Sequence, residues 1–188
     1  MEYDIIEADI RLRLSERRYR HSLGVVDSAV SLAYRFGCDI EKTKIAAISH
    51  DCAKEFEIQT LVSIAKNENM DLDLVTLSEP QLLHGPVGKF VAKTELGIND
   101  EEILDAIHYH TTARANMTKL DKVIYLSDVI EVGRNYAGIE AVRELALHDL
   151  DEAIVLAIDN TINYVVSIHS LLHPRTIEAR NSILLSKK

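Results

Sequence analysis

The sequence predicts an all-α fold, a helical bundle of roughly eight or more helices, with residues 1–188 forming one domain. Three observations predict the bundle. Apolar residues recur at steps of three or four through most of the chain. No stretch alternates apolar and polar residues for long enough to make a strand. Seven glycines and three prolines supply too few turns for a sandwich or a barrel. At 188 residues, 47% of them hydrophobic, the chain can bury a substantial core within the size of one domain. No internal repeat or low-complexity linker divides it.

Taken in order, Leu23, Val26, Val30 and Ala33 step along one helical face and stop before Gly37, which ends an amphipathic helix. Asp39 can cap a second run through Ile45, Ala46, Ile48 and Ala53, its carboxylate accepting from first-turn amides that have no helical partner. His50 and Asp51 fall in its last turn, and Lys54, one turn beyond His50, shares that face. Ser78 with Gln81, Asn99 with Glu102, and Thr118 with Asp121 have the cap-plus-acceptor spacing of three further helix starts. These starts put His84 early in one helix, His110 at the end of another, and Asp128 inside the run from Lys119 to Glu131. Gly138 breaks the chain before a short helix through Ala146. Asp149 caps a long segment from Leu150 to Leu172, and Pro174 interrupts before a last helix, so residues 150–188 form a helical tail that packs on the rest.

A net charge of -9 makes the surface repel polyanions, which excludes nonspecific nucleic-acid binding and requires local positive charge for any anionic substrate. Cys38 and Cys52 lie on separate elements without a CxxC spacing, as reduced thiols of a cytoplasmic protein do. The N-terminal stretch MEYDIIEADIR carries acids where a secretory signal carries bases, and no apolar run reaches the ~18 residues of a membrane span. The expectation is a soluble protein with no membrane partner.

Eight histidines raise the question of which are ligands. His50 and Asp51 are adjacent, about 100° apart on a helix, and reach one ion together only from an edge that faces a cavity. Alone, such a pair is more often a boundary histidine beside a solvated carboxylate. His21, in RYRHSLGV on the preceding helix, and Asp128, in VIYLSDVIE on a later one, change the reading. An unpaired aspartate inside an apolar run costs several kcal/mol to desolvate, so Asp128 needs a cation, an arginine or a set of donors. Two imidazoles and two carboxylates from three helices would make a mixed nitrogen and oxygen metal site with positions open to water and substrate. Such an ion lowers the pKa of water from 15.7 towards roughly 7 and makes attack on phosphorus feasible.

Lys54 could neutralise charge growing on phosphoryl oxygens, against the plainer reading of a snorkelling surface lysine. Arg134, six residues past Asp128, could hold a phosphate with its planar fork, or be a surface arginine. His110 and Thr111 close a helix, where Thr111 could simply cap. His108, about 200° around from His110, is not a ligand. His148 and His169 are solvated surface residues, and Cys52 packs inward as a small hydrophobe.

Six ordered motifs run through nearly the whole chain: RYRHSLGV from Arg18, AAISHDCAKE from Ala46, LLHGPVG from Leu82, ILDAIHYHTT from Ile103, KVIYLSDVIEVGR from Lys122 and HPRTIEARN from His173. Together they resemble the YqeK-type HD-domain hydrolases. The resemblance implies symmetrical cleavage of diadenosine tetraphosphate to two ADP, with iron as the native metal. It implies His21, His50, Asp51 and Asp128 as metal ligands; Asp51, Lys54 and Asp128 are the expected catalytic residues. It also implies nucleotide contact by Arg18, Lys54, His84, His110, Thr111, Arg134 and the segment Leu171, Leu172, His173, Pro174, Arg175 and Thr176. HD relatives with two ions use histidines at positions like His84 and His110, so one ion or two stays open.

Two departures from the family pattern bear on nucleotide preference. SDVIEVGR lacks the usual proline after its glutamate and the aromatic before its isoleucine, and Ala113 stands where glycine is common. Other readings keep the metal and change the substrate to a nucleoside monophosphate, a dNTP or a cyclic nucleotide, or keep the fold as a non-catalytic nucleotide sensor. Two histidines disfavour magnesium and fit iron, manganese, cobalt, nickel or zinc. The apolar tail IEARNSILL could serve a homodimer surface as readily as a packing strut.

Overall fold

The computed structural model describes residues 3–188, so the first two residues of the acidic N-terminal stretch lie outside it. The described residues hold eleven α-helices and no strand. They are α1 (Tyr3–Arg13), α2 (Glu16–Phe36), α3 (Ile40–Ser49), α4 (Ile58–Asn67), α5 (Leu74–Ser78), α6 (His84–Thr94), α7 (Glu101–Tyr109), α8 (Lys119–Ile130), α9 (Ile139–Ala146), α10 (Leu150–Ser167) and α11 (Pro174–Ser186). A short 3-10 turn, Pro80–Leu83, joins α5 to α6. The helical class expected from apolar periodicity is the class observed.

Helix α8 lies at the centre, packed on α2, α7 and α10, and α2 and α7 in turn pack on α3. Leu120, Ile124 and Leu126 of α8 are fully buried. The same apolar run carries Asp128 at its far end, which is how a carboxylate comes to face the interior. Two glycines bring α6 close. A Cβ on Gly85 would lie 2.5 Å from the His108 carbonyl oxygen, and one on Gly88 would touch Ile107 and Cys52. That close approach sets His84, the first residue of α6, beside His110, which caps the end of α7.

Several helix ends differ from the sequence reading. Helix α3 stops at Ser49 instead of running through Ala53. The His50 ring donates from Nδ1 to the Ala47 carbonyl at 2.7 Å, and the following amides of Cys52 and Lys54 bond only three residues back, to Ser49 and Asp51. The chain therefore tightens into turns, so Lys54 does not share a helical face with His50. Ser78 ends α5 and starts nothing. The cap there is Asp73, and Pro80, with φ fixed and no N–H to satisfy, opens the 3-10 turn instead. The cap expected at Asn99 falls one residue later, where the Asp100 carboxylate accepts from the amides of Glu102 and Ile103.

Helix α10 ends at Ser167, short of Leu172, as the chain turns through His169 at φ 54°. Ala113 is fully buried at φ 57°, a left-handed conformation that penalises any side chain. This accounts for glycine being usual there. Gly37, Gly138, Asp39, Asp149 and Pro174 act at their helix ends as expected.

Thr118 forms the full capping box, its hydroxyl accepting from the Asp121 amide while Asp121 accepts from the Thr118 amide. Thr118→Ala removes half of it at the start of the central helix. The expected result is a loss of about 1 kcal/mol, read as a lower urea midpoint at unchanged slope.

Candidate metal centre and phosphate cleft

Asp51 is 3% exposed and its two carboxylate oxygens face different neighbours. Oδ2 lies 3.4 Å from His50 Nε2, 3.8 Å from His21 Nε2 and 2.9 Å from the Arg18 guanidinium. Oδ1 lies 3.5 Å from both His84 Nε2 and His110 Nε2. Asp128 completes the first side, its Oδ1 3.1 Å from His21 Nε2. The expected set His21, His50, Asp51 and Asp128 is thus brought together. His21, His50 and Asp51 form one cluster with ligand atoms within 4.8 Å, His50, His110 and Asp128 a second, and Asp51, His84 and His110 a third.

Every ring in the cluster is turned the same way. Nδ1 of His50, His84 and His110 donates to the carbonyl three residues back, at 2.7, 2.5 and 2.7 Å. Nδ1 of His21 donates to Glu131 Oε1 at 3.1 Å. With the proton on Nδ1, each Nε2 presents a lone pair to the centre, the arrangement that second-shell partners impose on metal-binding histidines. Nε2 of His21 and of His50 are buried without a hydrogen-bond partner. Lone pairs of two imidazoles and two carboxylates converging on one space repel one another, and a cation relieves them. Mixed nitrogen and oxygen donors of this kind suit a divalent transition metal. The residues present fit such an ion.

Glu131 escaped the sequence reading. It is 4% exposed, and its Oε2 accepts the Gly133 amide at 2.5 Å. A Cβ on Gly24 would lie 2.7 Å from Oε2, so Gly24 leaves the space that Glu131 fills. The signal was available: a second acid three residues after Asp128, and a glycine three residues after His21. Replacing Glu131 by Gln weakens the hold on His21. Metal affinity, measured by competition with a chelator, is expected to fall roughly tenfold or more.

Burial, the largest influence on Asp51, opposes its ionisation, but His50 and His110 outweigh it when their rings carry a second proton, the positive charge that a bound cation would supply instead, and so hold the carboxyl well below the usual range. Asp128 is likewise held down, against burial, by positive charge on the His21 and His50 rings and by Arg134. His84 is pushed down to about 3 by burial, then by His110 and Lys54, so it is neutral. Burial also lowers Lys54, partly opposed by Asp51. Lys54 Nζ sits 3.2 Å from His84 Nε2, and Thr111 Oγ1 is 3.1 Å from His84 Nε2 and 3.0 Å from His110 Nε2. Lys54, His84, His110 and Thr111 therefore meet on the Oδ1 side of Asp51.

On the other side a cleft of about 690 Å³ is lined next to His21 by four arginines, Arg17, Arg18, Arg20 and Arg134, against two carboxylates, Glu16 and Glu131. Arg134 donates to the Asp128 carbonyl at 2.9 Å and to its carboxylate. Here is the local positive charge that an acidic protein needs in order to receive an anion. Arg17 and Arg20 were passed over, although the run ERRYR announces them.

The segment 171–176 divides its tasks. His173 caps α11 and its Nε2 lies 3.0 Å from Asp73 Oδ2 and 3.1 Å from Thr76 Oγ1, while the Thr176 hydroxyl donates to the Thr112 carbonyl. Arg175 lies over the Tyr109 ring, and Leu171 and Pro174 are exposed. His108 stacks on Tyr109, and burial pushes it down to about 4, outside the ligand cluster. His148 and His169 are exposed, and Cys52 is buried beside Gly88.

Asp73 is held at about 2 because the amide and hydroxyl of Thr76 and the His173 ring outweigh its burial. A folded value below the unfolded one, near 3.9, means stability that is complete above pH ~4 and is lost as pH falls towards 2. The stability gap between the parent and Asp73→Asn is therefore expected at pH 6 and narrowed at pH 3 in urea titrations.

An all-helical fold with an adjacent His-Asp pair at a buried histidine and carboxylate cluster defines the class, and residues 18–133 match the family model described as HD domain. The chain belongs to the HD-domain family, in its YqeK-type branch. It is 41% identical over 174 residues to a Bacillus subtilis (strain 168) protein named symmetrical bis(5'-nucleosyl)-tetraphosphatase, spanning 93% of each chain. A protein of the same name from Halalkalibacterium halodurans is 37% identical over 179 residues, 95% of each chain. Among solved structures, a Clostridium acetobutylicum protein described as a predicted HD superfamily hydrolase involved in NAD metabolism superposes with a TM-score of 0.94. It is 43% identical, over 100% of this chain and 99% of that one.

Proposed function

We propose that this protein hydrolyses diadenosine tetraphosphate symmetrically to two ADP, using iron held by His21, His50, Asp51 and Asp128. The observation that carries the reading is the convergence of four Nε2 atoms and two carboxylates beside an arginine-lined cleft. The names of the full-length relatives supply the substrate. When bound, the ion lowers the pKa of water towards roughly 7 and polarises a phosphoryl oxygen.

The chain's own residues do the rest. Arg18 and Arg134 neutralise the phosphate charges that would otherwise repel a nucleophile. Lys54, next to His84, donates to the phosphoryl oxygen as charge grows there. His84, His110 and Thr111 line the path of the phosphates on this side, the Nε2 lone pair of the neutral His84 accepting from Lys54 and so aiming its ammonium, and the exposed part of 171–176 covers one nucleoside. Water oxygen bonds to one of the two central phosphorus atoms and gives up a proton to solvent, the bond from that phosphorus to the central bridging oxygen breaks, and the second ADP leaves with the bridging oxygen. The helical tail belongs to the same working unit, since α10 packs on the helix that carries Asp128. Cys38 and Cys52 are both free, in keeping with a cytoplasmic enzyme.

His50→Ala tests the reading. The parent is expected to convert diadenosine tetraphosphate to ADP alone, without AMP and ATP, and the variant to lose both metal and most turnover. Metal retention with unchanged turnover contradicts the ligand set. Activity confined to monophosphates, dNTPs or cyclic nucleotides contradicts the substrate, and tight binding without metal-dependent turnover identifies a sensor.

A further inference from the structure

We propose that the cavity between α10 and the α8–α9 connection is a subsite for the second nucleoside of the dinucleotide, an inference that rests on the function proposed above. The cavity is about 590 Å³, within the usual range for a small-molecule site. It shares Arg134 with the arginine-lined cleft, and Arg134 is bonded to Asp128. A chain of phosphates leaving the centre along the arginines therefore passes the mouth of this cavity.

Its lining suits a nucleoside and not a phosphate. Arg134 is the one charged side chain in the wall, and the rest is contributed by Tyr136, Tyr164, Asn160, Asn163 and small or apolar neighbours. Tyrosine rings offer faces for a base, and amides offer paired donors and acceptors for its edge or for ribose hydroxyls. Two polar atoms in this wall, Tyr136 Oη and Asn160 Nδ2, are buried with no hydrogen-bond partner. Buried polar groups of this kind are normally satisfied, so a ligand that supplies their partners fits the cavity better than an apolar one.

Symmetrical cleavage adds a geometric argument. The broken bond is equidistant from the two nucleosides, so each needs a place on its own side of Asp51. Thr111, His84 and the 171–176 segment lie on the Oδ1 side, tied together through Thr112 and Thr176. Arg18 binds Oδ2, and Arg134 and this cavity lie with Asp128 on that opposite side.

The test uses Tyr164→Ala, at a residue that is 64% exposed and outside the core, and Asn160→Ala. KM for diadenosine tetraphosphate is compared with the inhibition constant of inorganic tetraphosphate, which has no nucleoside, with metal in excess. The subsite predicts a rise in KM of roughly tenfold for each variant, the effect of losing one base contact, with the tetraphosphate constant unchanged. An unchanged KM, or equal weakening of both ligands, overturns the subsite alone. A parent that does not cleave diadenosine tetraphosphate overturns the functional reading and the subsite with it.

Discussion

The structure is organised around a buried carboxylate, Asp51, that is surrounded by imidazoles. An ionised aspartate at 3% exposure is untenable in an apolar interior. Around it stand Arg18 and the Nε2 atoms of His21, His50, His84 and His110. Each of these comes from a different local device. His50 and Asp51 come from a helix that breaks into tight turns, and His84 from a helix drawn close by Gly85 and Gly88. His110 comes from a helix end, and His21 from a helix steadied by Glu131. The helices can be read as the means of holding these groups at one point.

Position along the helices explains why the centre was legible in sequence. Asp128 was recognisable because an acid interrupts the apolar run of α8, and α8 is the helix most enclosed by others. His21 was recognisable from its place on the helix before the His-Asp pair. Caps at Asp39, Thr118 and Asp149 were legible because a side chain accepting from the next turn is a local event. What escaped depends on distant contacts. The stop of α3 at Ser49 follows from a ring bonding its own backbone, which no periodicity records. Ser78 failed as a helix start because Pro80, two residues on, imposed a 3-10 turn. Glu131 reads in sequence as one more acid at a helix end, because Gly24, the residue that leaves room for it, lies far earlier in the chain.

Charge is distributed so that the centre and its approach differ from the whole. The chain carries -9 overall, yet Arg17, Arg18, Arg20 and Arg134 share one cleft. An acidic surface turns away polyanions, while the cleft concentrates attraction where an anionic ligand would enter. Arg18 and Arg134 pair with the two carboxylates of the centre, so in the proposed function the same side chains would serve both the cation site and the phosphate.

The central claim is that His21, His50, Asp51 and Asp128 hold a transition-metal ion. Anomalous diffraction from crystals of the full chain grown with ferrous iron, recorded at the iron absorption edge, tests it most directly. The account predicts a strong peak bounded by those four side chains. Fully ordered side chains with no peak between them, or a peak only elsewhere in the molecule, would contradict it.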